Sequence, residues 1–172
     1  MKKLLIALLL ATASVGLISH KASAQSTLLS GIGDESDYYK FASFVRSANM
    51  GATLTALGSF TIFAPDNFIF RDMSPGKLDS LTGDATKMDM FLKAHIVKGK
   101  FTTADITKKM TLGKGKATLT NLLGQPLVIT KTKDNKLLIK DAQGNVRRFL
   151  AFDMKDPHGV IHGIDDVLMP GK

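Results

Sequence analysis

Residues 60–70 read FTIFAPDNFIF, and this stretch decides the fold. Phe60, Thr61, Ile62 and Phe63 are β-branched or aromatic in succession, which is strand composition. Ala64 extends the run, and Pro65, with its locked φ and no amide hydrogen, stops it. Asp66 stands where its carboxylate can accept the free amides of a first helical turn, so a short helix is predicted over 67–71, with Phe68 turned to the interior. The counterpart lies at the other end of the chain, where residues 159–170 read GVIHGIDDVLMP. Gly159, Val160, Ile161, His162 and Ile164 form a second extended run, followed by Asp165, Val167, Leu168 and the terminating Pro170. If these two runs share one interior, Ile62 and Ile161 must lie together.

Working outward from residue 60, Tyr38, Phe41, Phe44, Val45 and Ala48 recur at helical spacing, so residues 38–49 carry one apolar face. Leu54 and Leu57 mark a second short helix closed by Gly58. After Pro65, residues 77–81 are a short helical stretch. Residues 86–96 read as an amphipathic helix with Met88, Phe91, Leu92 and His95 on one side, ended by Gly99. Beyond Phe101 the period changes, and residues 117–120, 127–133, 136–141 and 146–152 are predicted strands. Gly124-Gln125-Pro126, Asp134-Asn135 and Gln143-Gly144-Asn145 have turn chemistry, Asp134-Asn135 as a tight two-residue link. Helices early and strands late predict an α+β domain.

The first 24 residues have a different character. Met1-Lys2-Lys3 precedes an apolar run to Ile18, and Ala22-Ser23-Ala24 supplies small residues at the end, the order of a secretory signal peptide cut before Gln25. The run is too short for a bilayer-spanning helix, which needs roughly 20 apolar residues. Cleavage would leave 148 of the 172 residues, enough for one domain with its own core, and would lower the net charge from +8 to +5 by removing three lysines. Residues 25–35 are polar and Gly/Ser-rich and are expected to form a flexible arm, with the domain at 36–170 and a tail at 171–172. No second apolar segment follows the leader, so the mature chain is expected to be free of transmembrane segments. With no cysteine in the sequence, disulfides, thiolate metal sites and cysteine nucleophiles are excluded. The basic residues are scattered and not interleaved with aromatics on one surface, which does not suit nucleic acid.

Taken together, the two end segments and a central one, residues 91–106 (FLKAHIVKGKFTTADI), resemble the fasciclin (FAS1) family. Residues 60–70 are similar to its first homology motif, residues 159–170 to its second, and the central segment to the part that usually holds Tyr-His and a Val-x-Gly-Lys turn. The resemblance implies a β-wedge or sandwich with helices packed along the sheets, and a secreted or periplasmic, non-catalytic module for cell-surface, matrix or polysaccharide contacts. A carrier of a small apolar ligand, lipid or carotenoid, is the alternative, since some algal relatives bind carotenoids. Two positions depart from the pattern. Ala94 replaces the usual Tyr, so the integrin contact of animal relatives does not carry over, and Gly163 replaces a larger apolar residue, which leaves room for a bulge. Candidate contact residues are His95, Lys98, Lys100, Phe101, Asp105 and Ile106, the last two because Asp-Ile pairs serve as contacts in some animal relatives.

No chemistry-bearing constellation emerges from the remaining residues. His158 and His162 are spaced i, i+4, but the first lies in a turn and the second on a strand, so no shared zinc site is expected and no cofactor is implied. Asp165 and Asp166 point to opposite faces of an extended segment and do not pair for catalysis; Asp165 is expected to orient backbone at a strand end. There is no Gly-x-Ser-x-Gly nucleophile elbow. Gly113-Lys114-Gly115-Lys116 lacks the rest of a phosphate loop and is expected to be a mobile hairpin tip.

Overall fold

β1 (Phe60–Pro65) and β7 (Gly159–Ile164) run side by side in parallel, with Ile62 opposite Ile161. The computed structural model describes residues 29–171; the leader, its cleavage site and Lys172 lie outside the described residues. Both strands are buried at every position, because the sheet is covered on its two faces. Phe60, Ile62, Ala64 and Ile161 enter one apolar cluster, and Phe63 and Ile164 enter another. Double burial is why neither segment shows polar alternation in sequence.

β2 (Ile96–Lys98) pairs antiparallel with the outer edge of β1, and β6 (Val146–Asp156) with β7. From β6 the sheet continues through β5 (Leu137–Lys140), β4 (Pro126–Lys131) and β3 (Lys116–Thr120), giving the order β2-β1-β7-β6-β5-β4-β3. Its two edges meet at a bridge between Val97 and Asn121, reinforced by Leu122 N donating to Ile96 O at 2.9 Å, so the seven strands nearly close on themselves. In β3, β4 and β5 inward and outward residues alternate, since one face alone of these strands is covered.

Five helices form a layer on the first cluster: α1 (Tyr39–Ser47), α2 (Gly51–Leu57), α3 (Asn67–Asp72), α4 (Pro75–Thr82) and α5 (Ala85–Ala94). Phe41, Leu54, Phe70, Phe91 and Leu92 are their main contributions. α6 (Thr103–Leu112) closes the second cluster, setting Ile106 and Met110 against Leu119, Leu127, Ile129, Leu137 and Ile139.

One turn design connects β3 to β4, β4 to β5 and β5 to β6. In each, a residue N–H bonds the carbonyl four residues on: Asn121 to Gln125, Thr132 to Lys136 and Asp141 to Asn145. The residue before the loop closes has positive φ, at Gly124, Asn135 and Gly144. The first side chain of each loop then accepts from the returning amide, at 2.9 Å for Asn121, 3.1 Å for Thr132 and 2.9 Å for Asp141. These are three-residue loops, so the link at Asp134-Asn135 is one residue longer than predicted.

Several expectations are corrected. The predicted helix over 86–96 ends at Ala94, and the β-branched Ile96 and Val97 pair with β1 instead. The segment beyond Phe101 contains α6 before any strand. Residues 113–116 are the exit of that helix, with Gly115 N bonded to Met110 O at 2.8 Å, not a hairpin tip. Phe68 is 53% exposed while Phe70, two residues and about 200° further round the helix, is 3% exposed. The arm expected over 25–35 is docked where described: Leu29 and Ile32 are buried, and Leu29 N donates to the buried Asp156 carboxylate at 2.7 Å. Gly171 is likewise bound, its N donating to Gln125 Oε1 at 2.8 Å.

Candidate functional site

His95 caps α5 in the interior between the two ends of the chain. Its Nδ1 lies 2.7 Å from Phe91 O, and its Nε2 accepts from Leu168 N at 2.8 Å. Because Nε2 accepts, Nδ1 carries the proton. The ring packs against Phe91 and Phe41, with centroids 4.6 and 5.2 Å away. Burial lowers its pKa to about 4, outweighing the Phe91 bond and the charge of Asp141. His95 is fully enclosed, and so is Ile106 in the second cluster. Neither can meet a partner at the surface, which corrects the expectation that both are contact residues. Their apolar surroundings are what drew them inside.

The other candidates stay near the surface. Lys98 and Lys100 are exposed, and Phe101 is half-buried with Lys109 Nζ 5.1 Å from its ring centre. Phe101 N donates to Thr61 Oγ1 at 2.9 Å, and Phe101 O lies 2.9 Å from His162 Nε2. Thr61 Oγ1 in turn donates to Gly99 O at 2.7 Å, so this turn is bound to β1 and β7. Burial lowers the His162 pKa, and its ring stacks on Phe63 at 5.7 Å. Asp105 is exposed but occupied, accepting from Thr102 Oγ1 at 2.6 Å and Thr102 N at 2.9 Å in a capping box for α6. Those bonds hold its pKa below the usual value.

The carboxylates at the chain's end also serve the fold. Asp165 accepts from Arg148 N at 2.8 Å and Arg148 Nε at 2.6 Å, and Asp166 pairs with Arg147 Nη2 at 3.2 Å. Burial acts to raise the pKa of Asp141, but bonds from Met169 N, Asn145 and Gln143 N outweigh it and keep the carboxyl below its ordinary value. Among the described residues, no cluster of three or more His, Asp or Glu could hold a metal ion, and no helix is long and apolar enough to cross a membrane.

Two of the surface concavities bear on function, and sequence reading located neither. One, about 200 Å³, lies between α4, α5 and residues 167–170, walled by Met73, Leu81, Met90, Phe91, Val167 and Met169. The other, about 710 Å³ and open, lies between residues 131–137 and β6, with Thr103 at one end. Beside it Leu150 and Phe152 are about half exposed, an outward apolar run on a strand that also shows Val146. The signal was in the sequence, since VRRFLAF places apolar residues on both faces of a strand, but it also fits a strand buried on both sides.

A nearly closed seven-stranded sheet with a helical layer on one face and parallel central strands defines the FAS1 fold. It matches a structure reported as a novel fold revealed by a FAS1 domain pair from the insect cell adhesion molecule Fasciclin I, with TM-score 0.62 and 19% identity, over 77% of this chain and 45% of that one. The chain belongs to the fasciclin domain family, whose model matches residues 36–170. It is 30% identical over 127 residues to sll1735, an uncharacterized protein of Synechocystis, covering 74% of this chain and 85% of that protein. A second Synechocystis protein, sll1483, is 31% identical over 73% of this chain and 63% of its own length. Human periostin is 24% identical over 86% of this chain, which spans 16% of periostin.

Proposed function

We propose that this chain is an exported, non-catalytic binding domain that makes adhesive contacts with a cell-surface or matrix protein or polysaccharide. The observation that carries the reading is how its reactive side chains are used. Both buried histidines are bonded through both ring nitrogens, and Asp66, Asp105, Asp141, Asp156 and Asp165 accept backbone amides. What remains for a partner is surface, including the outward apolar residues of β6. The leader sequence supports export, and the cell adhesion molecule among its structural neighbours supports the class of role. The test is saturable binding of the mature domain to cell envelopes, matrix proteins and polysaccharides; no saturable binding to any of them overturns the reading.

The groove between α4, α5 and residues 167–170 favours a second reading, a carrier of a small apolar ligand. Its wall is built mainly from three methionines, Leu81, Phe91, Val167 and Pro170, adaptable apolar surface, with Lys77 and Lys87 its only charged lining residues. Native mass spectrometry of the protein purified without detergent decides it: a retained lipid or pigment supports the carrier, and a bare polypeptide mass rejects it.

A further inference from the structure

The larger groove has a composition that points to one kind of ligand. Its floor is Leu137 and Phe149, and its wall is Phe152, stacked on Phe149 with ring centres 5.7 Å apart and planes 4° from parallel. Phe152 is 47% exposed and Leu150 49%, so an aromatic plate and an aliphatic neighbour face solvent together. Lys131, Lys136 and Arg148 stand around them. Arg148 is paired with Asp165, whereas neither Lys131 nor Lys136 meets a carboxylate among the described residues. The groove's own acid, Asp153, accepts from Thr103 N at 2.8 Å. Thr103 Oγ1 is the one buried side-chain polar atom among the described residues without a hydrogen-bond partner, and Thr103 lines this groove. That hydroxyl is enclosed in the free protein, so it meets a ligand hydroxyl or carboxylate only by rotation of the Thr103 side chain, which its unmet bond favours.

We propose that this groove binds an anionic glycan, a chain bearing uronate or sulfate groups, with one pyranose ring lying on Phe152 and Leu150 and its anionic group between Lys131 and Lys136. The C–H face of a pyranose matches an aromatic plate beside an aliphatic side chain, and carboxylate or sulfate matches the uncompensated lysines. Single-stranded nucleic acid would stack successive bases on several rings, and here one half-exposed ring is offered. A volume of about 710 Å³ falls within the range of ligand clefts. The proposal rests on the binding-domain reading and names its site and ligand class.

The experiment uses the mature domain on immobilised polygalacturonate and heparin, with neutral dextran and single-stranded DNA as comparisons. The expected result is retention on the two anionic glycans, released by salt, with little on dextran and at least tenfold weaker affinity for DNA. Phe152→Ala and the pair Lys131→Glu/Lys136→Glu should each weaken glycan affinity about tenfold or more. The charge-matched pair Lys40→Glu/Arg46→Glu, on α1 and outside both grooves, should change it less than threefold. Thr103→Val should lower affinity severalfold without lowering the melting temperature, a combination that a merely structural role does not give. Retention unchanged by the groove variants, equal loss in the charge-matched pair, or equal binding to DNA overturns the proposal. If the domain binds envelopes or matrix proteins but ignores both anionic glycans, this inference falls while the proposed function stands; if it binds none of these, both fall.

Discussion

Gly163 shows how a single residue is written by its neighbour. A Cβ placed there would lie 2.2 Å from the Tyr38 ring, so the absence of a side chain on β7 is what lets Tyr38 of the helical layer reach the sheet. The sequence flagged the position as unusual but offered no view of what filled it, because the compensating residue is 125 positions away. Gly163→Val is expected to destabilise the domain by at least 1–3 kcal/mol through overpacking. Adding Tyr38→Ala should recover part of that loss, and urea unfolding of the four members of the cycle checks it; purely additive effects would mean the two residues do not compete for one space. Phe68 and Phe70 teach the same limit in a shorter span. Both are aromatic in one short helix, and which of them meets Phe44 edge-on at 5.2 Å depends on how α3 sits, which composition does not encode. Phe68 carries the Arg71 guanidinium over its ring at 4.4 Å instead.

At the scale of elements, legibility followed burial geometry. β1 and β7 were readable as strands because β-branched and aromatic residues crowd them, and the parallel register of Ile62 with Ile161 meets the condition set by their shared interior. α6 went unread although two of its signals stand in the sequence: Thr102 and Asp105 at capping-box spacing, and Ile106 and Met110 one turn apart. Lysines and threonines dilute that apolar face to a narrow stripe, so the helix is weakly periodic until the sheet it caps is known. Thr102→Ala should therefore cost about 1 kcal/mol, the usual worth of an N-cap, read as a shift in the urea midpoint. The three hairpins differ in what their first residue holds. Thr132 bonds its own loop, whereas Asp141 also accepts Met169 N at 2.9 Å from the end of the chain. Thr132→Ala is expected to cost less than about 1.5 kcal/mol, and Asp141→Ala about 2–4 kcal/mol, since bonds to a buried carboxylate are the stronger kind. Equal losses in equilibrium unfolding would show that the bond to Met169 contributes nothing.

For the molecule as a whole, residues 167–171 act as a strap that ties separate parts together. Leu168 N bonds His95 at the end of α5, Met169 N bonds Asp141, Gln143 of that same β5–β6 loop donates to Pro170 O at 2.5 Å, and Gln125 of the β3–β4 loop accepts from Gly171 N at 2.8 Å. The strap also walls the smaller apolar groove, so its seating governs that surface. His95 is the titratable link. Its folded pKa of about 4 lies below the unfolded value near 6.5, so protons bind the unfolded chain more readily. Stability from this group is complete above pH 6.5 and is lost as pH falls toward 4, by about 2 kcal/mol at pH 5. The depressed pKa of His162 acts in the same direction and adds to the slope. Urea unfolding across pH 7.5 to 5 should show this loss. His95→Gln should lower stability at pH 7.5 yet flatten the slope, because it removes the titrating ring while leaving His162 in place. An unchanged slope in that variant would show that His95 is not the group through which acid loosens the strap.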